Sequence, residues 1–130
     1  SGRWAAYENR DTLYSEIPKT IAYLKNLGLR VVFVGQSPDF PDGIRNVIIR
    51  AENGKSAWPR LVKSIFDART NEQLHTLAGN SFFFDPLSVN CDGDSCPIAE
   101  DGKPLFFDHG HFTNFGSIVF STALVSALPK

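Results

Sequence analysis

Residues 13–35 read LYSEIPKTIAYLKNLGLRVVFVG, and this stretch decides the fold. Leu13, Ile17, Ile21, Leu24 and Leu27 recur three or four residues apart, the spacing that lines one face of a helix, and Gly28 follows as a C-terminal stop. Pro18 suits the first helical turn, so regular helix is expected to begin near it. Leu29 to Gly35 then runs apolar without strict alternation, which suits a strand of a parallel sheet covered on both faces. The loop Gln36 to Gly43 leaves the carboxyl end of that strand, where ligands gather in α/β sheets.

Outward from this unit the alternation continues. Residues 44–57 carry a short apolar run, Val47 to Ile49, and a turn-like Ala51 to Ser56, and do not decide between helix and strand. Trp58-Pro59 restarts the chain, and Leu61 through Leu77 recurs at helical spacing up to Gly79-Asn80. Ser81 to Pro86 reads as a second strand, Lys103 to Phe107 as a short apolar third, and Phe115 to Leu128 as a closing helix. Helix alternating with strand predicts an α/β class: a three-layer α/β/α arrangement on a parallel, flavodoxin-like sheet. Such a sheet commonly has about five strands, so residues 1–130 are expected to be the C-terminal portion of one domain.

Composition agrees. A chain of 130 residues suits one domain, and 42% hydrophobic residues exclude a disordered tail. The 13 Lys+Arg against 14 Asp+Glu leave no surplus of cations, which argues against gripping nucleic acid through its phosphates. No run approaches the roughly 18 apolar residues that cross a bilayer. Methionine is absent, so the chain is expected to be a piece of a longer polypeptide; a tag scar at Ser1-Gly2 is the bland alternative.

Cys91 and Cys96 enclose Asp92-Gly93-Asp94-Ser95, a turn-forming gap that can bring two Cα atoms within disulfide range. Zinc would need two further ligands, and none flank the pair. A disulfide implies an oxidising compartment, a periplasm or cell exterior; two reduced structural thiols are the other reading.

The chemistry concentrates in Phe107-Asp108-His109-Gly110-His111-Phe112-Thr113-Asn114-Phe115-Gly116. Asp108 and His111, three apart on a turn, let a carboxylate fold back onto an imidazole nitrogen, fixing the tautomer and stabilising the imidazolium formed when the other nitrogen takes a proton. A serine hydroxyl needs such a base, because it is hardly ionised at neutral pH. Thr113 is the expected helix N-cap. His109 could join His111 and Asp108 around a metal, but one short segment cannot complete a ligand shell, so no metal or cofactor is expected.

Asp108 to Gly116 resembles the last block, Asp-x-x-His-Phe-Thr-x-x-Gly, of the SGNH (GDSL-type) hydrolase and acyltransferase superfamily. More narrowly, the chain resembles the C-terminal part of the SGNH domain attached to acyltransferase-3 membrane proteins. The resemblance rests on Gly2-Arg3-Trp4 ahead of helix and strand, on the cysteine-bracketed loop after Phe82-Phe83-Phe84-Asp85, and on Gly102 to Asp108 leading into the histidine. It implies a periplasmic or extracellular domain, tethered through the full-length protein, that handles O-acyl groups on cell-surface glycans through an acyl-serine intermediate. His111 would be general base and acid, and Asp108 its orienting partner. The implied partners are a surface glycan acceptor, an acyl donor, the upstream half of the SGNH domain and an acyltransferase-3 membrane domain.

The superfamily's nucleophile stands in Gly-Asp-Ser after the first strand. Gly93-Asp94-Ser95 matches in letters only: it lies between the cysteines, follows no first strand, and is explained by turn formation. The nucleophile is therefore expected outside this chain. The second-block glycine and third-block Gly-x-Asn-Asp, which would furnish an oxyanion hole, have no match. His75 reads as solvated. Trp58 reads as a packing residue before a sugar platform, and Phe112 and Phe115 as core, with an acyl-pocket wall as their other use. Three functions follow: O-acyl transfer to a polysaccharide, a carbohydrate or lipid esterase, or a non-catalytic glycan-binding remnant.

Overall fold

The computed structural model describes residues 9–65 and 68–130. Gly2-Arg3-Trp4, which entered the family resemblance, and Phe66-Asp67, within an expected helix, lie outside the described residues. In chain order the elements are α1 (Arg10–Asn26), β1 (Val32–Val34), α2 (Ile44–Glu52), β2 (Val62–Lys63), α3 (Ala68–Ala78), β3 (Phe82–Phe84), α4 (Leu87–Asn90), β4 (Ser95–Cys96), β5 (Ala99–Glu100), β6 (Lys103–Pro104) and α5 (Asn114–Ala127). β1 and β3 pair in parallel with Val32 opposite Phe82, and the Gly35 N–H extends the ladder by donating to Phe84 O at 2.8 Å. β2 pairs antiparallel with β4, and β5 with β6. None of the described helices is long and apolar enough to cross a membrane.

Two apolar clusters hold the chain. On one face of the parallel pair, Ile17 and Ile21 of α1 meet Leu74 of α3, with Tyr14, Val31, Phe33 and Phe83 packed around them. The larger cluster gathers Phe40, Ile44, Ile48, Leu87, Cys96, Ile98, Leu105, Phe106 and Phe120. Phe106 anchors it: its ring meets Phe40 at 5.0 Å edge-on, Phe112 at 5.0 Å and Phe120 at 6.2 Å. Each such ring leaving water contributes about 2 kcal/mol. Trp58, Phe112 and Phe115 pack against this cluster.

Two expectations are corrected. α1 does not start near Pro18 but at Arg10, with the proline inside it. An interior proline costs about 3 kcal/mol, and burial of Ile17, with Tyr14 packed beside it, offsets the loss. The expected helix from Leu61 does not form at its N-terminal end. Val62 and Lys63 pair with Cys96 and Ser95, while Ser64 N–H donates to Asp94 O and Ile65 N–H to Asp39 O, both at 2.7 Å. A short apolar run fits either element by periodicity, and here the disulfide loop supplied strand partners. Residues 44–52, undecided in sequence, are helical.

The α/β class and the parallel pairing are present, on a smaller scale than expected. The described residues cover one face of β1 well, whereas Val32 and Val34 on the opposite face are 37% and 42% exposed. A complete three-layer sandwich is not formed among the described residues.

Candidate active site

Residues 104–116 fold back on themselves to build the site. Phe106 and Phe112 bridge antiparallel, and the Phe107 N–H donates to His111 O at 3.1 Å, closing a small hairpin whose tip is Asp108 to Gly110. Asp108 shapes that tip: its Oδ1 accepts from the backbone N–H of Gly110 at 3.1 Å and of His111 at 2.9 Å, an Asx turn. α5 begins directly after. Thr113 Oγ1 accepts from Gly116 N–H at 2.9 Å as N-cap and donates to Pro104 O at 2.6 Å, so one hydroxyl ties helix to hairpin. Gly116 is required by the same approach, because a Cβ there would stand 2.0 Å from Leu105 O.

This folding brings Asp108 and His111 together. His111 Nδ1 lies 2.9 Å from both Oδ1 and Oδ2 of Asp108. Burial pushes the Asp108 carboxyl up, but the Gly110 N–H, the His111 ring and the His111 N–H outweigh it and hold its pKa at about 2. Asp108 is therefore a carboxylate and can only accept, so Nδ1 of His111 donates to it, and in the neutral ring the lone pair is on Nε2. The His111 side chain is 52% exposed and that of Asp108 24%. Phe107 stacks on the His111 ring at 5.6 Å between centroids. A proton acceptor facing solvent, oriented by an ionised carboxylate, is what a hydroxyl nucleophile requires.

A second pair stands beside it. His109 Nδ1 lies 3.0 Å from Asp39 Oδ1, and the rings of His109 and His111 are 5.9 Å apart. The hydrogen bond to the Asp39 carboxylate raises the His109 pKa; burial opposes this, and the charges of Asp39, Asp108 and Asp42 add to the rise. Nothing in the sequence links two residues 70 apart. The one signal was that Asp39 belongs to the loop beyond a strand's carboxyl end, expected to meet a ligand. Much of that loop is buried, with Gln36, Pro38, Asp39 and Phe40 inside, while Pro41, Asp42 and Gly43 are exposed.

The remaining candidates lie elsewhere. Cys91 and Cys96 form a disulfide. Within their loop Ser95 Oγ donates to Asp94 Oδ1 at 3.1 Å, and Lys63 Nζ sits 3.3 Å from Asp94 Oδ2. These contacts, the lysine's hydrogen bond first and the serine's next, hold Asp94 below the usual carboxylate range. The Gly93-Asp94-Ser95 letters thus serve the β2–β4 ladder. His75 is exposed but not idle: it lies against Phe83 at 4.7 Å. It lines a cleft of about 640 Å³ beyond the end of β3, together with Asn71, Glu72, Phe83 and Asp85. Among the described residues, no three His, Cys, Asp or Glu gather in a metal-binding arrangement.

No curated protein and no solved structure matches the chain. A family model described as "SGNH domain (fused to AT3 domains)" matches residues 1–125.

Proposed function

Since the chain belongs to the SGNH domain family found fused to acyltransferase-3 domains, a hydrolase and acyltransferase superfamily, we propose that it completes O-acyl transfer, typically acetyl, to a cell-surface polysaccharide. The observation that carries this reading is the single contact of His111 Nδ1 with both Asp108 oxygens at 2.9 Å, which leaves Nε2 free at a half-exposed ring. The attacking serine belongs to the upstream half of the domain. Its Oγ–H proton passes to His111 Nε2 as Oγ bonds the acyl carbon, and the imidazolium returns that proton to the departing donor group. A sugar hydroxyl then gives its proton to the same nitrogen, attacks the acyl-serine and releases the serine reprotonated. Asp108 stabilises the imidazolium in both halves.

The membrane domain supplies the acyl group, and the SGNH domain works on the outward face, where the Cys91–Cys96 bridge is stable. The exposure of His111 favours a second reading, hydrolysis, because water reaches the base as readily as a sugar does. The test is the full-length protein with His111→Ala. Turnover of an acyl donor falls by about a thousandfold or more. Unchanged turnover would overturn the assignment. Acylated saccharide against free acid among the products separates transferase from esterase.

A further inference from the structure

The turn bearing Asp108 and His111 is gripped from outside by loop 36–43. His109, between the two, is held twice: its ring Nδ1 meets Asp39 Oδ1 at 3.0 Å, and its carbonyl accepts from Phe40 N–H at 2.8 Å. Gly110, the next residue, approaches so closely that a Cβ there would stand 3.4 Å from Asp39 Oδ1. Asp39 is itself immobilised. Its N–H donates to Ser64 Oγ at 3.1 Å, and its carbonyl accepts from Ser64 Oγ at 2.8 Å and Ile65 N–H at 2.7 Å. Ser64 is 3% exposed and the Asp39 side chain 13%, so the pair is anchored on its carboxylate side, while the His109 ring is 54% exposed. A continuous chain of contacts therefore runs from the end of β2 through Asp39 and His109 into the backbone that aims His111.

We propose that His109 is a positioning residue: held by Asp39, it fixes the 108–111 turn and so orients the Asp108–His111 pair toward the incoming serine. This rests on the function proposed above. The groups facing His109 are Asp39 and Asp42 from the loop and Asp108 and His111 from its own turn. Asp39 raises the His109 pKa, so the charge-assisted clasp is complete at low pH and weakens as pH rises through that raised value. The alkaline limb of activity thus belongs to His109.

The experiment compares full-length wild type, Asp39→Asn, His109→Gln and His111→Ala for hydrolysis of p-nitrophenyl acetate across the neutral pH range, with thermal midpoints taken alongside. In Asp39→Asn, kcat falls about tenfold with KM little changed, and the alkaline limb moves to lower pH because His109 has lost its carboxylate. In His109→Gln, which alters an exposed ring and leaves the fold intact, that limb disappears. A wild-type limb in either variant overturns the proposal, even where kcat falls, since a purely structural contact leaves the limb in place. If His111→Ala is inactive and Asp39→Asn keeps the wild-type profile, the clasp alone fails. If His111→Ala retains full activity, the functional reading fails and the clasp with it.

Discussion

At the scale of single residues, Asp108 does two jobs with one carboxylate. It caps its own turn through two backbone N–H groups and orients a ring through a third donor. Its pKa is lowered from 3.8 to about 2, so its stabilisation is complete above the unfolded value and is lost as pH falls through the folded one. Asp108→Ala is therefore expected to lower the unfolding free energy by about 2 kcal/mol at neutral pH. Chemical denaturation in steps toward pH 2 should show that gap closing; a gap independent of pH would contradict the assignment. This pair was legible in the sequence because its geometry is local, one turn long. The Asp39–His109 pair was not, because the contact joins residues 70 apart and depends on where β2 delivers Ser64.

At the scale of elements, the boundary between hairpin and α5 decides the site. Thr113 caps the helix, and Gly116 lets its first turn press on the Leu105 carbonyl. Gly116→Ala is expected to cost about 3 kcal/mol, because backbone rather than a flexible side chain must give way. Thr113→Ala should lose about 1 kcal/mol. Urea midpoints check the order; a glycine substitution milder than the threonine one would mean that the helix slides freely. α5 was legible to within a residue, since cap and periodicity agree. The start of α3 was not: Leu61 to Ile65 carries helix-like spacing, yet its backbone takes partners in two distant loops.

For the whole molecule, the α/β class was legible from the Leu29–Gly35 and Ser81–Pro86 runs, whereas the paired small sheets were not, because two-residue strands leave no periodic trace. The Cys91–Cys96 bridge ties the end of α4 to β4, β4 pairs with β2, and β2 leads into the Ser64–Asp39–His109 chain. Closing so short a loop contributes about 2 kcal/mol by the chain-entropy argument, so reduction, or Cys91→Ser with Cys96→Ser, should lower stability by that amount in a denaturation curve. Equal curves with and without reductant would show the bridge to be idle. β1 has a further consequence. Among the described residues β3 is its one neighbour, and Val32 and Val34 stand bare beside its open edge. Such a ribbon is adhesive, and at crystallisation concentrations two copies should zip together along it. A twofold dimer joined there would record that tackiness rather than a physiological partnership.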